Sequence, residues 1–196
     1  MRILHYTLGF PPQRSGGMTK YATDLMIEES KQHKVALLYP SGYSFWSRKI
    51  KWKQTFRGEI ERFGLINTFP IPLLCGIKTP AHFRSIRSMS IVEMESLYAN
   101  FKPDVFHVHT LMGLPKELLL FFKERGVKLV FTTHDYFGLC PKVNFINHKG
   151  QMCGGASQQR CAECNKSAKS TLYLRLRNSK IALRLKDIGL VQRFIK

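Results

Sequence analysis

The chain has 196 residues, 44% of them hydrophobic, which is enough for one compact core and leaves little room for a second. Its 31 lysine and arginine residues against 13 acidic residues give a formal net charge of +18, which favours an anionic partner such as nucleic acid, a phosphate-bearing substrate or an acidic membrane face. No apolar stretch approaches the roughly 20 residues needed to cross a bilayer, and the N-terminus lacks signal-peptide features. We therefore expect a cytoplasmic protein.

The first part of the chain predicts a βαβ unit. Residues 2–8 are rich in strand-forming side chains and predict a buried strand, and a second apolar strand is predicted at residues 34–40. Between them, a loop rich in glycine and proline contains Gly16 and Gly17. The apolar residues after this loop share one face of a predicted helix: Met18, Tyr21, Ala22, Leu25 and Met26.

The middle of the chain is less regular. Residues 41–64 are basic and aromatic, and we expect an exposed excursion that contains a short strand or helix. Residues 65–72 predict a further strand, and residues 81–101 have the spacing of a helix. The apolar positions of that helix are Phe83, Ile86, Ile91, Met94, Leu97, Tyr98 and Phe101.

Two strands and a helix follow, with the strands at residues 103–110 and 128–135. The helix, at residues 113–126, ends at Gly126, a residue suited to the left-handed position after a helix. Apolar strands that alternate with helices predict an α/β, Rossmann-like three-layer domain with a parallel sheet. Residues 166–196 predict a basic amphipathic helical tail.

Polar signals follow the predicted strands, and ligands of such sheets bind at the carboxyl ends of the strands. Gly16 and Gly17 form either a phosphate cradle made of amide N–H groups and a helix N-terminus, or a flexible turn. They do not match the GxGxxG pattern, which weakens a nicotinamide interpretation. His134 and Asp135 end a strand, where ligand contact and a simple strand-end cap are both open.

His107 and His109 lie on one predicted strand and alternate with Val108, so they point to the same face of the sheet. Two interpretations stay open for such a pair. They are either hydrogen-bonded residues of the core or its rim, or part of a ligand site.

Four cysteines follow the last predicted strand: Cys140, Cys153, Cys161 and Cys164. Twelve, seven and two residues separate them, and the final CxxC spacing suits two ligands of a tetrahedral zinc ion. The full pattern does not match a standard zinc ribbon, and His148 is a spare candidate ligand. A structural zinc site, a late-formed crosslink and reduced cysteines without a role all remain open, with disulfides disfavoured in a reducing compartment.

An ordered set of motifs resembles the N-terminal half of family 4 glycosyltransferases. The motifs are "GFPPQRSGGMTKYATDL", "PDVFHVHTLMGLP" and "KLVFTTHDYFGLCP", followed by "CGG" and "CAEC", and the resemblance spans roughly residues 1–165. It implies one half of a GT-B fold. It also implies a retaining enzyme that moves a sugar from a nucleotide-diphosphate sugar to a sugar or lipid-linked acceptor, in cell-envelope or exopolysaccharide synthesis.

The same resemblance implies roles for individual residues. It singles out His109 as the active-site histidine near the donor sugar and the acceptor, and it places the Gly16–Gly17 loop against the donor diphosphate. His134 and Asp135 would contact donor or acceptor. We do not assign His109 as a base, because the leaving phosphate can itself take the acceptor proton in this kind of transfer. No catalytic metal is expected.

The departure from the family concerns the second domain. That domain binds most of the nucleotide-sugar and carries two glutamates separated by seven residues, and no such pair is identified in its expected setting here. We therefore expect a truncated or split enzyme that is inactive alone. The alternative is a non-catalytic, basic, metal-knotted module that binds glycan, nucleic acid or membrane.

Two anionic partners compete for the basic surface. Nucleic acid is disfavoured because no RNP, KH or helix-turn-helix pattern is present. We expect instead a peripheral position on the anionic inner face of the membrane, where Trp46 and Trp52 would suit the interface.

Overall fold

The computed structural model describes residues 1–12, 14–44, 47, 49–68, 70–78, 88–179, 181, 182 and 185. Six strands form one sheet: β1 (Arg2–Tyr6), β2 (Lys34–Pro40), β3 (Lys51–Phe56), β4 (Ile60–Ile66), β5 (Val105–Val108) and β6 (Lys128–Phe131). Their order is β3-β4-β2-β1-β5-β6. Only β3 runs antiparallel to its neighbour, while the other strand pairs are parallel.

Helices lie on both faces of this sheet. These layers consist of α1 (Gly17–Ser30), α2 (Ile91–Phe101) and α3 (Lys116–Glu124), while α4 (Gln158–Cys164) and α5 (Thr171–Arg177) follow β6 in the chain. Buried residues of α1 pack with β2 and β4 on one face, and those of α2 and α3 pack with the central strands on the other. The predicted α/β, Rossmann-like three-layer domain is confirmed.

Alternation along the central strands explains the three layers. In β2, Ala36 and Leu38 join the cluster formed with α2 and α3, whereas Val35 and Leu37 pack toward α1. All four are at most 1% exposed. Because both faces of a parallel strand are buried in such a sheet, the strand appears in the sequence as a continuous apolar run.

The predicted strand at residues 65–72 is wrong beyond Ile66. The strand is β4, which pairs antiparallel with β3 to form a hairpin within the segment expected to be an excursion. Asn67 ends β4 with a φ of 62°, and the prolines that follow lack the N–H group that a strand donates. Trp52 of β3 packs against the core, with its ring centroid 5.7 Å from that of Phe63.

Several predicted elements are confirmed only in part. The helix predicted at residues 81–101 is described as α2, which Ser90 caps by accepting a hydrogen bond from the amide of Glu93 at 3.3 Å. Phe83, Ile86 and Trp46 lie outside the described residues. Gly126 has the expected left-handed conformation, with a φ of 73°. The predicted basic tail is described as α5 and a few residues beyond it, while residues 186–196 lie outside the described part.

Candidate functional site

The predicted glycine loop and the predicted His-Asp pair meet at one cavity. Gly16, Gly17, His134 and Asp135 all line it, together with Arg14. Its volume is about 220 Å³. Gly16 and Gly17 follow β1 and the His-Asp pair follows β6, so the cavity lies at the carboxyl edge of the sheet, where ligands of such folds bind.

The start of α1 leaves its backbone amides available at this cavity. Gly16 has a φ of 125°, which favours glycine, and α1 begins at Gly17 with no side-chain cap and no acidic residue in its first turn. A methyl group added at either glycine would meet no atom within 4 Å. Packing therefore does not explain Gly17, and the uncapped amides carry the partial positive charge of a helix N-terminus.

Arg14 adds a full positive charge to the same cavity. Its guanidinium hydrogen-bonds to the side-chain oxygen of Asn178. Burial, followed by the nearby charge of Arg177, lowers the pKa of Arg14 from its usual value, but an arginine remains protonated at neutral pH. The sequence analysis did not single out Arg14, although its position two residues before Gly16 was the available signal.

A series of hydrogen-bonded side chains leads from the cavity into the protein. The Nε2 atom of His134 lies 3.2 Å from Nδ1 of His109, and Nε2 of His109 lies 3.0 Å from Nδ1 of His5. The Nε2 atom of His5 lies 2.6 Å from the Oε2 atom of Glu29 on α1. His5 and His109 are 0% and 1% exposed, so the series is buried except at its ends.

His109 therefore lies behind His134 when viewed from the cavity. Both of its ring nitrogens already have protein partners. A sugar hydroxyl could bond to His109 only if one of these contacts opened. His107 occupies a neighbouring position, with Nε2 2.8 Å from Oγ1 of Thr132 and its ring centroid 4.2 Å from that of His109.

These histidines are held in the neutral form. Burial, reinforced by the neighbouring histidines, lowers the pKa of His109 to about 3. The same causes lower the pKa of His107 to about 4, against a partial opposing effect of Glu29. Burial also lowers the pKa of His134, although Asp135 opposes the change. At neutral pH each of the three rings therefore carries a single N–H group.

The sequence analysis missed His5 and Glu29. His5 lies on β1 directly opposite His107 of β5, a pairing set by the strand register. The available signal was a histidine within a predicted buried strand, since such a side chain needs a polar partner.

A metal ion is the other candidate occupant of the histidine cluster. His5, His107 and His109 each offer one ring nitrogen, and these atoms lie within 4.8 Å of one another. However, the contacts with Glu29 and His134 already account for His5 and His109 as hydrogen-bonded residues.

The four cysteines line a second cavity, with a volume of about 120 Å³. They are Cys140, Cys153, Cys161 and Cys164, and none of them forms a disulfide. His148 lines the same cavity, with Nδ1 3.8 Å from the sulfur of Cys164 and Nε2 3.9 Å from a carboxylate oxygen of Glu163. The donor set is suited to zinc. Among the described residues, three candidate ligand atoms lie within 4.8 Å of one another only in the group formed by His5, His107 and His109. The four cysteine sulfurs line their cavity but do not include three atoms that lie so close together.

Comparison of the chain with protein-family models, curated proteins and solved structures finds no match. Within the part of the chain that the structure describes, no helix is long and apolar enough to cross a membrane. The class of protein is therefore defined by the fold alone, which is an α/β domain with a cavity at the carboxyl edge of its sheet.

Proposed function

We propose that the chain is the N-terminal, acceptor-side domain of a retaining glycosyltransferase of the family 4 type. A nucleotide-diphosphate sugar would donate the sugar, and a sugar or lipid-linked oligosaccharide of the cell envelope would accept it. The observation that carries this proposal is a single cavity lined by the uncapped start of α1, by Arg14, and by His134 and Asp135. Cationic groups, a neutral histidine and a carboxylate thus meet at one site, where a diphosphate and a hydroxyl could both find polar partners.

The cationic side of the cavity would bind the diphosphate. Backbone amides at a helix N-terminus bind phosphate oxygens through both their N–H groups and the helix dipole. Arg14 adds a planar donor group that matches phosphate geometry. Because charge develops on the leaving diphosphate in the transition state, donors fixed in advance at Gly16, Gly17 and Arg14 would stabilise that state more than the ground state.

His134 and Asp135 would hold the acceptor. In a retaining transfer without a covalent intermediate, the acceptor hydroxyl gives its proton to the departing phosphate, so the protein needs only to orient that hydroxyl. His134 and Asp135 are placed for this task because both line the cavity. A second domain would supply most contacts to the nucleotide-sugar, so the chain alone is expected to bind a diphosphate weakly and to transfer no sugar.

The test is calorimetric titration of the chain with uridine, guanosine and adenosine diphosphates and with inorganic pyrophosphate. We expect saturable binding of the diphosphate group and an affinity lower by roughly 10- to 150-fold in Arg14→Gln, since a charge-assisted hydrogen bond contributes about 1.5–3 kcal/mol. Arg57→Gln is the matched control because it removes the same charge from an exposed position on the β3–β4 hairpin. Absence of saturable binding, or an equal loss in both variants, would overturn the proposal.

The cysteine cavity favours a second candidate, the non-catalytic module with a structural zinc ion. Ligands for zinc would come from Cys140, Cys153, Cys161, Cys164 and His148, of which a tetrahedral ion takes four. Glu163 lies beside the His148 nitrogen that faces away from Cys164, which is the position of a carboxylate that orients a metal-bound histidine.

Elemental analysis of protein purified without added metal, read together with the diphosphate titration, separates the two candidates. Both allow one zinc ion per chain, and replacing Cys164 by serine should lower the zinc content well below one. Stoichiometric zinc without diphosphate binding would favour the module. Protein that contains no zinc, and that takes up none on titration, would remove the metal from both proposals.

A further inference from the structure

The hydrogen bonds between Glu29 and His134 have a direction that the chemistry of the groups determines. An ionised carboxylate can only accept hydrogen bonds. The Nε2 atom of His5, 2.6 Å from the carboxylate oxygen of Glu29, therefore carries the proton. When the His5 ring carries only this proton, its lone pair lies at Nδ1, and Nε2 of His109, 3.0 Å away, donates a hydrogen bond to it.

The same reasoning continues from His109 to the cavity. His109 is neutral, because burial lowers its pKa to about 3, and it uses its one N–H group on His5. Its Nδ1 atom therefore accepts a hydrogen bond from Nε2 of His134, 3.2 Å away. His134, whose pKa burial also lowers, is left with an unprotonated Nδ1 atom.

We propose that Glu29 and His5 are positioning residues, which fix the direction of these hydrogen bonds so that His134 offers an unprotonated Nδ1 atom to a hydroxyl group bound in the cavity. The hydroxyl would belong to the sugar acceptor, and this assignment of the ligand rests on the proposed function. The direction of the hydrogen bonds does not rest on it. His109 transmits the direction and does not itself contact the ligand.

This arrangement suits a reaction in which the acceptor hydroxyl must point its lone pair at the sugar. Before the reaction, a hydroxyl that donates a hydrogen bond to Nδ1 of His134 has its oxygen lone pairs free and its orientation fixed. As the new bond to the sugar forms, its hydrogen turns from Nδ1 to the departing phosphate oxygen, which takes the proton. The carboxylate of Glu29 is charged and only 24% exposed, so its bond to His5 is of the strong, charge-assisted kind. It can therefore determine the direction of the two weaker bonds that follow.

The alternative occupant, a metal ion among His5, His107 and His109, requires a different proton arrangement. An ion needs one unprotonated ring nitrogen from each of the three histidines, whereas Nδ1 of His5 and Nε2 of His109 share one proton in the hydrogen-bonded form. Hydrogen-bonded and metal-bound forms of the cluster therefore exclude each other, and one experiment can distinguish them.

The experiment is nuclear magnetic resonance of the uniformly ¹⁵N-labelled chain, in which the protonated nitrogen of each histidine and the ¹⁵N–¹⁵N couplings across N–H···N hydrogen bonds are observed. We expect couplings from Nε2 of His109 to His5 and from Nε2 of His134 to His109. In Glu29→Gln the side-chain amide can both donate and accept, so the ratio of the two tautomers of His134 should fall about tenfold.

Three variants make the test specific. Glu28→Gln, which removes the adjacent carboxylate paired with Lys31 on the surface, should leave the histidine spectrum unchanged. Glu29→Asp keeps the charge and should retain the original direction. The proposal is overturned if His134 is protonated at Nδ1 in the unmodified chain, or if Glu29→Gln behaves as Glu28→Gln does. It is also overturned if added zinc abolishes the His5–His109 coupling at one equivalent.

This readout needs no nucleotide and no sugar. If the chain shows the expected couplings but binds no diphosphate, the positioning role of Glu29 and His5 stands and the proposed glycosyltransferase function fails. If the chain binds diphosphate but shows no such couplings, the proposed function stands and the positioning role of Glu29 and His5 fails.

Discussion

His109 illustrates how burial changes the meaning of a histidine. The resemblance to glycosyltransferases points to it as the active-site histidine, yet its side chain is 1% exposed and bonded at both nitrogens. His134 stands between it and the cavity. A substitution of His109 would therefore act first on the orientation of His134, and loss of function in such a variant would not prove contact with substrate.

The lowered pKa values of the buried histidines predict that the protein loses stability in mild acid. The folded pKa values of His109 and His107 are about 3 and about 4, below the value of about 6.5 expected in the unfolded chain. The unfolded state therefore binds more protons between those limits, and the free energy of unfolding should fall as the pH drops from about 7 to about 4. Each histidine contributes a slope of at most about 1.4 kcal/mol per pH unit. Urea unfolding at several pH values measures it.

The matched variants for this prediction are His109→Asn and His33→Asn. His109→Asn should reduce the slope of the free energy of unfolding against pH by up to about 1.4 kcal/mol per pH unit, because this variant lacks the buried ring that titrates. The second removes a histidine at the protein surface. An unchanged slope in His109→Asn would show that this ring is not the cause of the acid sensitivity.

At the scale of elements, the N-terminus of α1 offers a contrast between neighbouring glycines. Gly16 has a φ of 125°, whereas Gly17 begins the helix with open space around it. We expect Gly16→Ala to lower the free energy of unfolding by about 1–3 kcal/mol, since alanine is strained there. Gly17→Ala should keep or raise stability, because alanine favours a helix.

Diphosphate binding separates the two glycines further. The methyl group of Gly17→Ala would project into the cavity and obstruct the approach of a phosphate to the amides, so affinity should fall while stability does not. Calorimetric titration and urea unfolding of the same preparations measure both quantities. Full affinity in Gly17→Ala would show that phosphate does not approach this amide.

The elements that the sequence predicts best are those with a strong pattern. β2 and the end of α3 are clear because β2 is an unbroken apolar run and Gly126 supplies the left-handed residue after the helix. The β3–β4 hairpin was obscured because β3 is a largely exposed edge strand, with Trp52 and Gln54 only partly buried. A sequence shows what is buried more readily than how an edge strand pairs.

The site was predictable only as far as the strand ends. Gly16, Gly17, His134 and Asp135 meet because the carboxyl ends of parallel strands share one edge, which is a rule of the fold. The contact between His5 and Glu29 depends on how α1 packs over β1, and no spacing within the sequence encodes that distance.

For the whole molecule, the net charge of +18 predicts binding to anionic vesicles. Trp52 is partly buried and packs against the core, so we expect binding to be mainly electrostatic and to weaken steeply between low and physiological salt. Co-sedimentation with phosphatidylglycerol vesicles, with phosphatidylcholine vesicles as the control, measures this. Failure to bind anionic vesicles at low ionic strength would refute the membrane partner.

The central claim is that the cavity at the carboxyl edge receives the diphosphate of a nucleotide-sugar. Its most direct test is to follow the backbone amide resonances of the ¹⁵N-labelled chain during titration with uridine, guanosine and adenosine diphosphates. The account predicts saturable shifts that centre on Gly16 and Gly17 and extend to His134 and Asp135. Shifts confined to the exposed lysines and arginines, or no saturable shift with any of the three nucleotides, would contradict it.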